Sequence, residues 1–480
     1  MQSLESSKST NSNKRQHKLA IAAVNTARAL LALTFVFSGF VKAVDPIGTQ
    51  YKIHDYLVAW GLADWSADWL TLAGSIVLST SEFLIGMMLL FAIRRRLVSK
   101  VTVAVMTVMT AISAWLYIAN PVSDCGCFGD AIRLTNGETL TKNIVLLAAA
   151  LIVARWPLSM ARLLSRNTQW IVVNYTVIFI LAVSGYSLYY LPQFDFRPYH
   201  VGADIRAGME IPEGAEQPEF ETTFILEKNG TRKEFKLDDY PDSTWTFIDS
   251  KTVMTKEGYV PPIHDFSITT AEDDADVTED IVGDKGYTMM LIAPFLEQAD
   301  DIHFDEINRL YDYAKRHGYR FLCITASSDK AIGKWRDRTG AEYLFANADE
   351  TTLKTMIRSN PGLILMHDGR IEGKWSHNAL PAVEDNTPSI QRGGLDTSNK
   401  SDANTALEMI LWFIIPLTLL TIADRTWAWT RKFQNKNINI LIKHINKNEK
   451  ENCSRKLEDE QEPAGGRCSR KGTDRGSKEP

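Results

Sequence analysis

The apolar residues of this chain are gathered into long blocks, separated by charged and polar segments. A helix needs about 20 mostly apolar residues to cross a hydrocarbon core. Six stretches approach that length: 19–44, 70–93, 101–119, 143–153, 170–191 and 407–423. The fourth is short unless Leu140 and Trp156 join it. The first is too long for the apolar region of a signal peptide and no small-residue cleavage site closes it, so it is expected to stay as a span. Between the fifth and sixth blocks the composition is that of a soluble protein. Alternation around Asn229-Gly230 predicts a hairpin, 222–228 with 231–237, and a further strand at 245–249. From Gly286 strands and helices alternate: strand 288–294, helix 299–317 with Ile302, Ile307, Leu310, Tyr311 and Ala314 on one face, strand 320–326, helices 328–340 and 351–359, then strands 363–367 and 370–375 about the turn Asp368-Gly369. This is a compact α/β layout. The expected organisation is a polar segment 1–18, a membrane domain 19–160, a fifth span 170–191, a β-rich segment 192–285, the α/β domain 286–380, a polar tether 381–406, a sixth span 407–423 and a charged tail 424–480. The tail from 433 is expected to be disordered, apart from a short amphipathic piece at 437–445.

Charge turns these blocks into a topology. Cytoplasmic flanks carry the excess of Lys and Arg. Lys14, Arg15 and Lys18 precede the first span. Arg94, Arg95, Arg96 and Lys100 join the second to the third, and Arg155, Arg162 and Arg166 join the fourth to the fifth. Arg425, Arg431 and Lys432 follow the sixth. With the N-terminus cytoplasmic, all four clusters lie inside, both termini are cytoplasmic, and 192–406 is extracytoplasmic. The alternate loops hold few cations: Lys42 and Lys52 in the first, Arg133 and Lys142 in the second. Trp60, Trp65, Trp69, Trp115 and Trp156 near span ends suit an aromatic belt, and the run 191–199 suits an interface. The net charge of -5 argues against a nucleic-acid partner.

Candidate chemistry centres on Asp124-Cys125-Gly126-Cys127-Phe128-Gly129-Asp130, in the loop between the third and fourth spans. Two thiols one residue apart on an oxidising face invite oxidation, and a ring closed by Cys-Gly-Cys is tight and reducible. Three readings stand: a redox-active pair, a structural link including one to another protein, and metal binding, for which no histidine lies nearby. Cys323, in a predicted strand, is expected to be a buried, inert residue, and Cys453 and Cys468 fall in a reducing compartment. Ionisable residues within spans are functional candidates. Arg28 is expected to snorkel to the headgroups, Glu82 to pair with Arg28 or Lys42 or to act in function, and His54 to be a loop residue packed at the interface.

The first 160 residues resemble the DoxX superfamily, in its MauE-like branch named for methylamine utilisation. The resemblance rests on Arg28, Phe37-Ser38-Gly39-Phe40-x-Lys42, Asp45-Pro46, His54 with Tyr56, Glu82 and the run 125–130. It implies a four-helix bundle in a bacterial inner membrane, related in layout to quinone-linked thiol oxidases, with a quinone as electron acceptor by analogy. It also implies a part in disulfide formation or maturation of extracytoplasmic partners. Nothing in the sequence points to methylamine. The segment 286–375 resembles the thioredoxin fold, with Asn360-Pro361 where that family has its cis-proline. Where Cys-x-x-Cys should stand, this chain reads Ala293-Pro294-Phe295-Leu296-Glu297-Gln298-Ala299, so the domain cannot run thioredoxin chemistry alone but can bind a partner beside Pro361. The expected function is thiol–disulfide redox work through Cys125 and Cys127. The rival is a non-enzymatic, membrane-anchored binding or assembly module. Transport rests on Glu82 and Lys42 alone.

Overall fold

The computed structural model describes residues 2–459 apart from positions 66, 123, 213, 216–218, 229–230, 237–245, 257–258, 265 and 396–401; the side chains of 2–17, 63, 219–256, 435–436 and 450–459 also lie outside the description. The membrane region is built from α1 (Gln2–Val44), α2 (Pro46–Ala59), α3 (Asp68–Leu90), α4 (Arg95–Ala119), α5 (Asn136–Arg155) and α6 (Gln169–Tyr189). Five of these, all but α2, are long and apolar enough to cross a membrane, α1 from Lys18 onward.

The fourth span is longer than its apolar run suggested. Thr135 caps α5 by accepting from the Glu138 amide while the Glu138 carboxylate accepts from the Thr135 amide. This reciprocal cap starts the helix in a polar turn that hydropathy alone reads as loop. The helix α2 was not foreseen. Asp45 caps it by accepting from the Gly48 amide, and Pro46 stands at its first position, where a missing N–H costs nothing.

The helices α1 and α3 pack backbone against backbone. A Cβ on Gly39 would lie 2.4 Å from the Phe83 amide nitrogen, and one on Gly86 would lie 2.7 Å from that of Val36. Small residues that let helix axes approach are the usual packing device in lipid, where apolar burial gives no drive between helices. At the opposite end from Gly39, the arginines tie loops together: Arg28 donates to the Ala161 carbonyl, and Arg95 to those of Leu158 and Met160.

The short helix α7 (Ile205–Met209) leads to a three-stranded antiparallel sheet, order β2-β1-β3, of β1 (Glu219–Lys228), β2 (Thr231–Lys236) and β3 (Thr246–Lys256). The expected hairpin is present, with Lys228 opposite Thr231; its turn residues lie outside the described ones. Then follow β4 (Ile268–Thr270), α8 (Thr278–Val282), β5 (Tyr287–Ala293), α9 (Phe304–His317), β6 (Arg320–Thr325), α10 (Asp329–Thr339), β7 (Leu344–Ala348), α11 (Glu350–Met356), β8 (Gly362–His367) and β9 (Arg370–Ser376). Their sheet order is β4-β7-β6-β5-β8-β9. The pairs β5–β6 and β6–β7 are parallel, and β5–β8 and β8–β9 antiparallel. The Asn360-Pro361 bond is cis and leads directly into β8. This is the thioredoxin-like arrangement that the sequence resemblance implied.

Successive residues of a strand face opposite sides of a sheet, and β5 buries both. Met289 and Leu291 join Ile307, Leu310, Tyr313 and Trp335 on one side, while Met290 and Ile292 join Ile281, Leu353 and Met356 on the other. Ile302 departs from expectation: it is exposed and precedes α9, because the Asp300 carboxylate accepts its amide and holds that stretch in a turn.

The last helix, α12 (Asp402–Asp459), is the sixth of the described helices apolar enough to cross a membrane. It runs on through the segment expected to be disordered. Up to Asp459 that segment holds neither Gly nor Pro, so no strong helix breaker stops the helix where hydrophobicity ends, although Asn is frequent in it. Asp424 pins α12 to the loop before α6, accepting from the Ser165 amide and from the Ser165 and Thr168 hydroxyls.

Candidate functional site

The close approach of α1 and α3 at Gly39 brings Ser38 and Lys42 against Glu82. Lys42 Nζ lies 2.7 Å from Glu82 Oε2, with both side chains under one-tenth exposed. It also donates to Ser38 Oγ and to the Cys127 carbonyl, each at 2.7 Å. An ammonium has three protons, and all three are used. Ser38 Oγ lies 2.7 Å from both Glu82 Oε2 and the Cys127 carbonyl, and its one proton serves one of them at a time. Removing one partner of a buried pair strands the other's charge, which costs about 3–5 kcal/mol. Glu82 and Lys42 are therefore bound into one unit with the cysteine loop. Arg28, the other suggested partner of Glu82, is occupied elsewhere on Ala161.

The loop is held along its length. Lys52 of α2 pairs with Asp124 at 3.0 Å, and the other Asp124 oxygen accepts the Gly126 amide. Tyr56 of α2 donates to the Cys125 carbonyl at 2.7 Å. Gly126 and Gly129 both take positive φ, +63° and +53°, the region glycine enters without a Cβ clash. So the sequence D-C-G-C-F-G-D encodes a turn that presents two thiols side by side.

Both thiols are unlinked and half-buried. They line a cavity of about 270 Å³ inside the bundle, whose walls include Phe35, Met106, Met109, Ile112 and Leu146. Lys42, Glu82, Tyr56 and Lys142 meet the cavity at its cysteine end. Lys142 Nζ sits 4.2 Å over the Phe128 ring. The two thiols differ in acidity. The Cys125 thiol donating to Cys127, with Lys142 and Lys42 nearby, outweighs burial and pulls Cys127 down to about 6. That same hydrogen bond, with burial, pushes Cys125 well above the usual thiol range. The pair is thus unequal in acidity, with Cys127 the more acidic thiol, the asymmetry that thiol exchange uses.

A second, polar cleft of about 420 Å³ lies on the other face of the loop, between α2 and α11. Gly126 borders both spaces. His54 is in this cleft, exposed and on α2, rather than in a loop packed at an interface. Asn360 Nδ2 donates to the Phe295 carbonyl, and Pro361 is buried. The thiol-free end of the thioredoxin-like domain thus faces the bundle: Lys354 of α11 sits over both Phe295 and Tyr51 of α2. Cys323 is fully buried, which pushes its thiol up. The run 191–199 packs on the domain. Burial alone would push the Asp195 carboxyl up, but Lys374 and Arg197 at 2.8 and 2.7 Å hold it well below the usual range.

Four members of the site are not singled out as such by the sequence. Lys52 and Lys142 read as sparse loop cations, because nothing local shows that they sit on helices facing the cysteine loop. Asp45 enters only through the Asp45-Pro46 element of the family resemblance, which says nothing of its partner. Arg358 had no local signal, because its partners Asp45 and Asp130 are remote in sequence.

Residues 20–155 match the family model described as methylamine utilisation protein MauE, and this membrane region is a MauE-family domain. Residues 220–257 match a model described as a domain of unknown function (DUF8463). A search of the curated proteins found no match. Among solved structures, the chain is similar to a candidate protein disulfide isomerase from Bacteroides thetaiotaomicron, at 16% identity over 24% of this chain and 76% of that one, with a TM-score of 0.20. It is also similar to an uncharacterized conserved protein from Geobacillus kaustophilus, at 11% identity over 31% of this chain and 78% of that one, again with a TM-score of 0.20.

Proposed function

We propose that this membrane protein, a MauE-family domain joined to a thioredoxin-like domain, performs thiol–disulfide exchange through Cys125 and Cys127 and serves the maturation of extracytoplasmic protein thiols. The observation that carries the reading is the pair of adjacent thiols of unequal acidity, set at the mouth of an apolar cavity beside Lys42 and Lys142. A structural disulfide needs no such cavity and no cation beside one of its sulfurs. The basic clusters of the other end argue that the cysteine end faces away from the cytoplasm.

In the oxidising direction, a client thiolate attacks one sulfur of the Cys125–Cys127 disulfide. A client–protein disulfide forms and the other sulfur leaves as a thiolate. Cys127 is the better leaving group, because Lys142 and Lys42 stabilise its anion. A second client thiolate attacks the mixed disulfide, releasing Cys125, which takes up a proton. The client has lost two electrons and the pair has gained them.

Resetting the pair requires an acceptor. The cavity fits a quinone ring: it has apolar walls and a cation, Lys142, at the cysteine end. Bound there, a quinone would supply two-electron, two-proton acceptor chemistry. The chain's own contribution is to hold Cys127 as a thiolate and to keep bulk water from the cavity with its apolar walls.

Acid trapping and alkylation in cells tests the reading. The expected result is a Cys125–Cys127 pair found partly oxidised, with client thiols accumulating reduced when both are changed to Ser. Full labelling of both thiols in cells given no reductant would refute it.

A further inference from the structure

The cysteine loop has anchors of two origins. Lys52 and Tyr56 hold its first half from α2, and Ser38 and Lys42 hold the Cys127 carbonyl from α1. Its last residue, Asp130, is held from the thioredoxin-like domain. Arg358 Nη2 lies 3.5 Å from Asp130 Oδ2 and 3.0 Å from Asp45 Oδ2, while Arg358 Nε donates to both oxygens of Asp45. The Arg358 side chain is only 6% exposed, although the cleft beside it is wide. A planar guanidinium with a fixed fork of donors suits two carboxylates at once.

A second observation is independent of charge. Gly48, in the first turn of α2, lies beneath this contact: a Cβ there would come within 2.9 Å of Arg358 Nη2 and 2.4 Å of Asp45 Oδ2. Glycine is otherwise a poor choice in a helix, by about 1 kcal/mol against alanine. Its place is explained by the capping Asp45 carboxylate, the nearest group, together with the guanidinium that this carboxylate holds. Arg358 also stands three residues before Pro361, at the end of the domain where its relatives by fold carry thiols.

We propose that Arg358 is a positioning residue for Cys125 and Cys127: the thiol-free domain clamps the far end of the cysteine loop from outside and so helps to hold the thiols toward the bundle cavity. This rests on the redox reading for its purpose, but the clamp itself is testable without turnover. It gives the degenerate domain a task that needs no cysteine.

The test uses the full-length protein in detergent, reduced, in a background carrying Cys453→Ser and Cys468→Ser; Cys323 is buried and silent. Labelling by a water-soluble maleimide is followed against pH in the parent, Arg358→Gln and Gly48→Ala. Release is expected to raise the labelling rate by about fivefold or more, the low end of typical coupling between sites. It is also expected to move the Cys127 midpoint upward as the sulfur leaves Lys42 and Lys142. A merely structural role for Arg358 would lower thermal stability without moving that midpoint. Gly48→Ala is the second variant: its Cβ meets the Asp45 carboxylate first and Arg358 next, so it loosens the same cluster from the α2 side while leaving Arg358 in place. Unchanged rate and midpoint in Gly48→Ala, or in a folded Arg358→Gln, overturn the clamp. Because labelling needs no electron acceptor, the clamp stands even where the in-cell redox test fails.

Discussion

Cys125 and Cys127 are separated by one glycine and differ sharply in environment. Cys127 accepts the hydrogen bond of its neighbour and lies nearer two ammonium groups, so its anion is the stabilised one. In the parent protein at neutral pH, iodoacetamide is expected to label Cys127 first. Its rate should fall as pH drops through about 6, because protonation removes the nucleophile. Cys125 should stay protonated and slow across that range. Peptide mass spectrometry after brief labelling at a series of pH values measures both, and equal rates at the two cysteines would contradict the assigned asymmetry. The motif itself was visible in the sequence, because a tight turn flanked by aspartates is local. Which sulfur is the acidic one was not, since Lys42 and Lys142 come from two different spans.

Among elements, the crossing of α1 and α3 controls the site. Lys42 and Glu82 meet because Gly39 and Gly86 leave no side chain between the two backbones. Gly39→Val is therefore expected to push the helices apart and to destabilise by about 1–3 kcal/mol or more. The control is Gly185→Ala in α6, where an added Cβ meets nothing within 4 Å. Thermal melting in detergent compares the two, and equal melting temperatures would show that the close approach is not needed. The span count was legible, because lipid demands long apolar runs. The start of α5 and the whole of α2 were not, because both are fixed by caps and polar turns that hydropathy averages away.

Over the whole molecule, the basic clusters gather at one end and the cysteine loop at the other, beneath the thioredoxin-like domain. A reporter joined after Pro198 is expected to be active only if it works outside the cytoplasm. Cytoplasmic reporter activity there would reverse the orientation and put the thiols in a reducing compartment. The domain is fastened to the membrane region through the stretch after α6 as well as through Arg358. Asp195, held between Lys374 and Arg197, ties that stretch to β9. A carboxyl held below its unfolded value stabilises above the ordinary carboxylate range and loses that contribution as pH falls through it, so this attachment weakens in acid.

The sequence alone determined the membrane spans, the polarity of their flanks, the paired cysteines and the loss of thiols from the thioredoxin-like domain. All of these are properties of composition and near-neighbour spacing, which the chain carries in one dimension. Tertiary structure decided what those residues face. Lys42 rather than Arg28 meets Glu82, because the glycines set the helix register. The thiols open on an apolar cavity, because the five helices α1 to α5 close around it. Arg358 reaches Asp45 across 313 residues and Asp130 across nearly half of the chain, a meeting that no local pattern encodes.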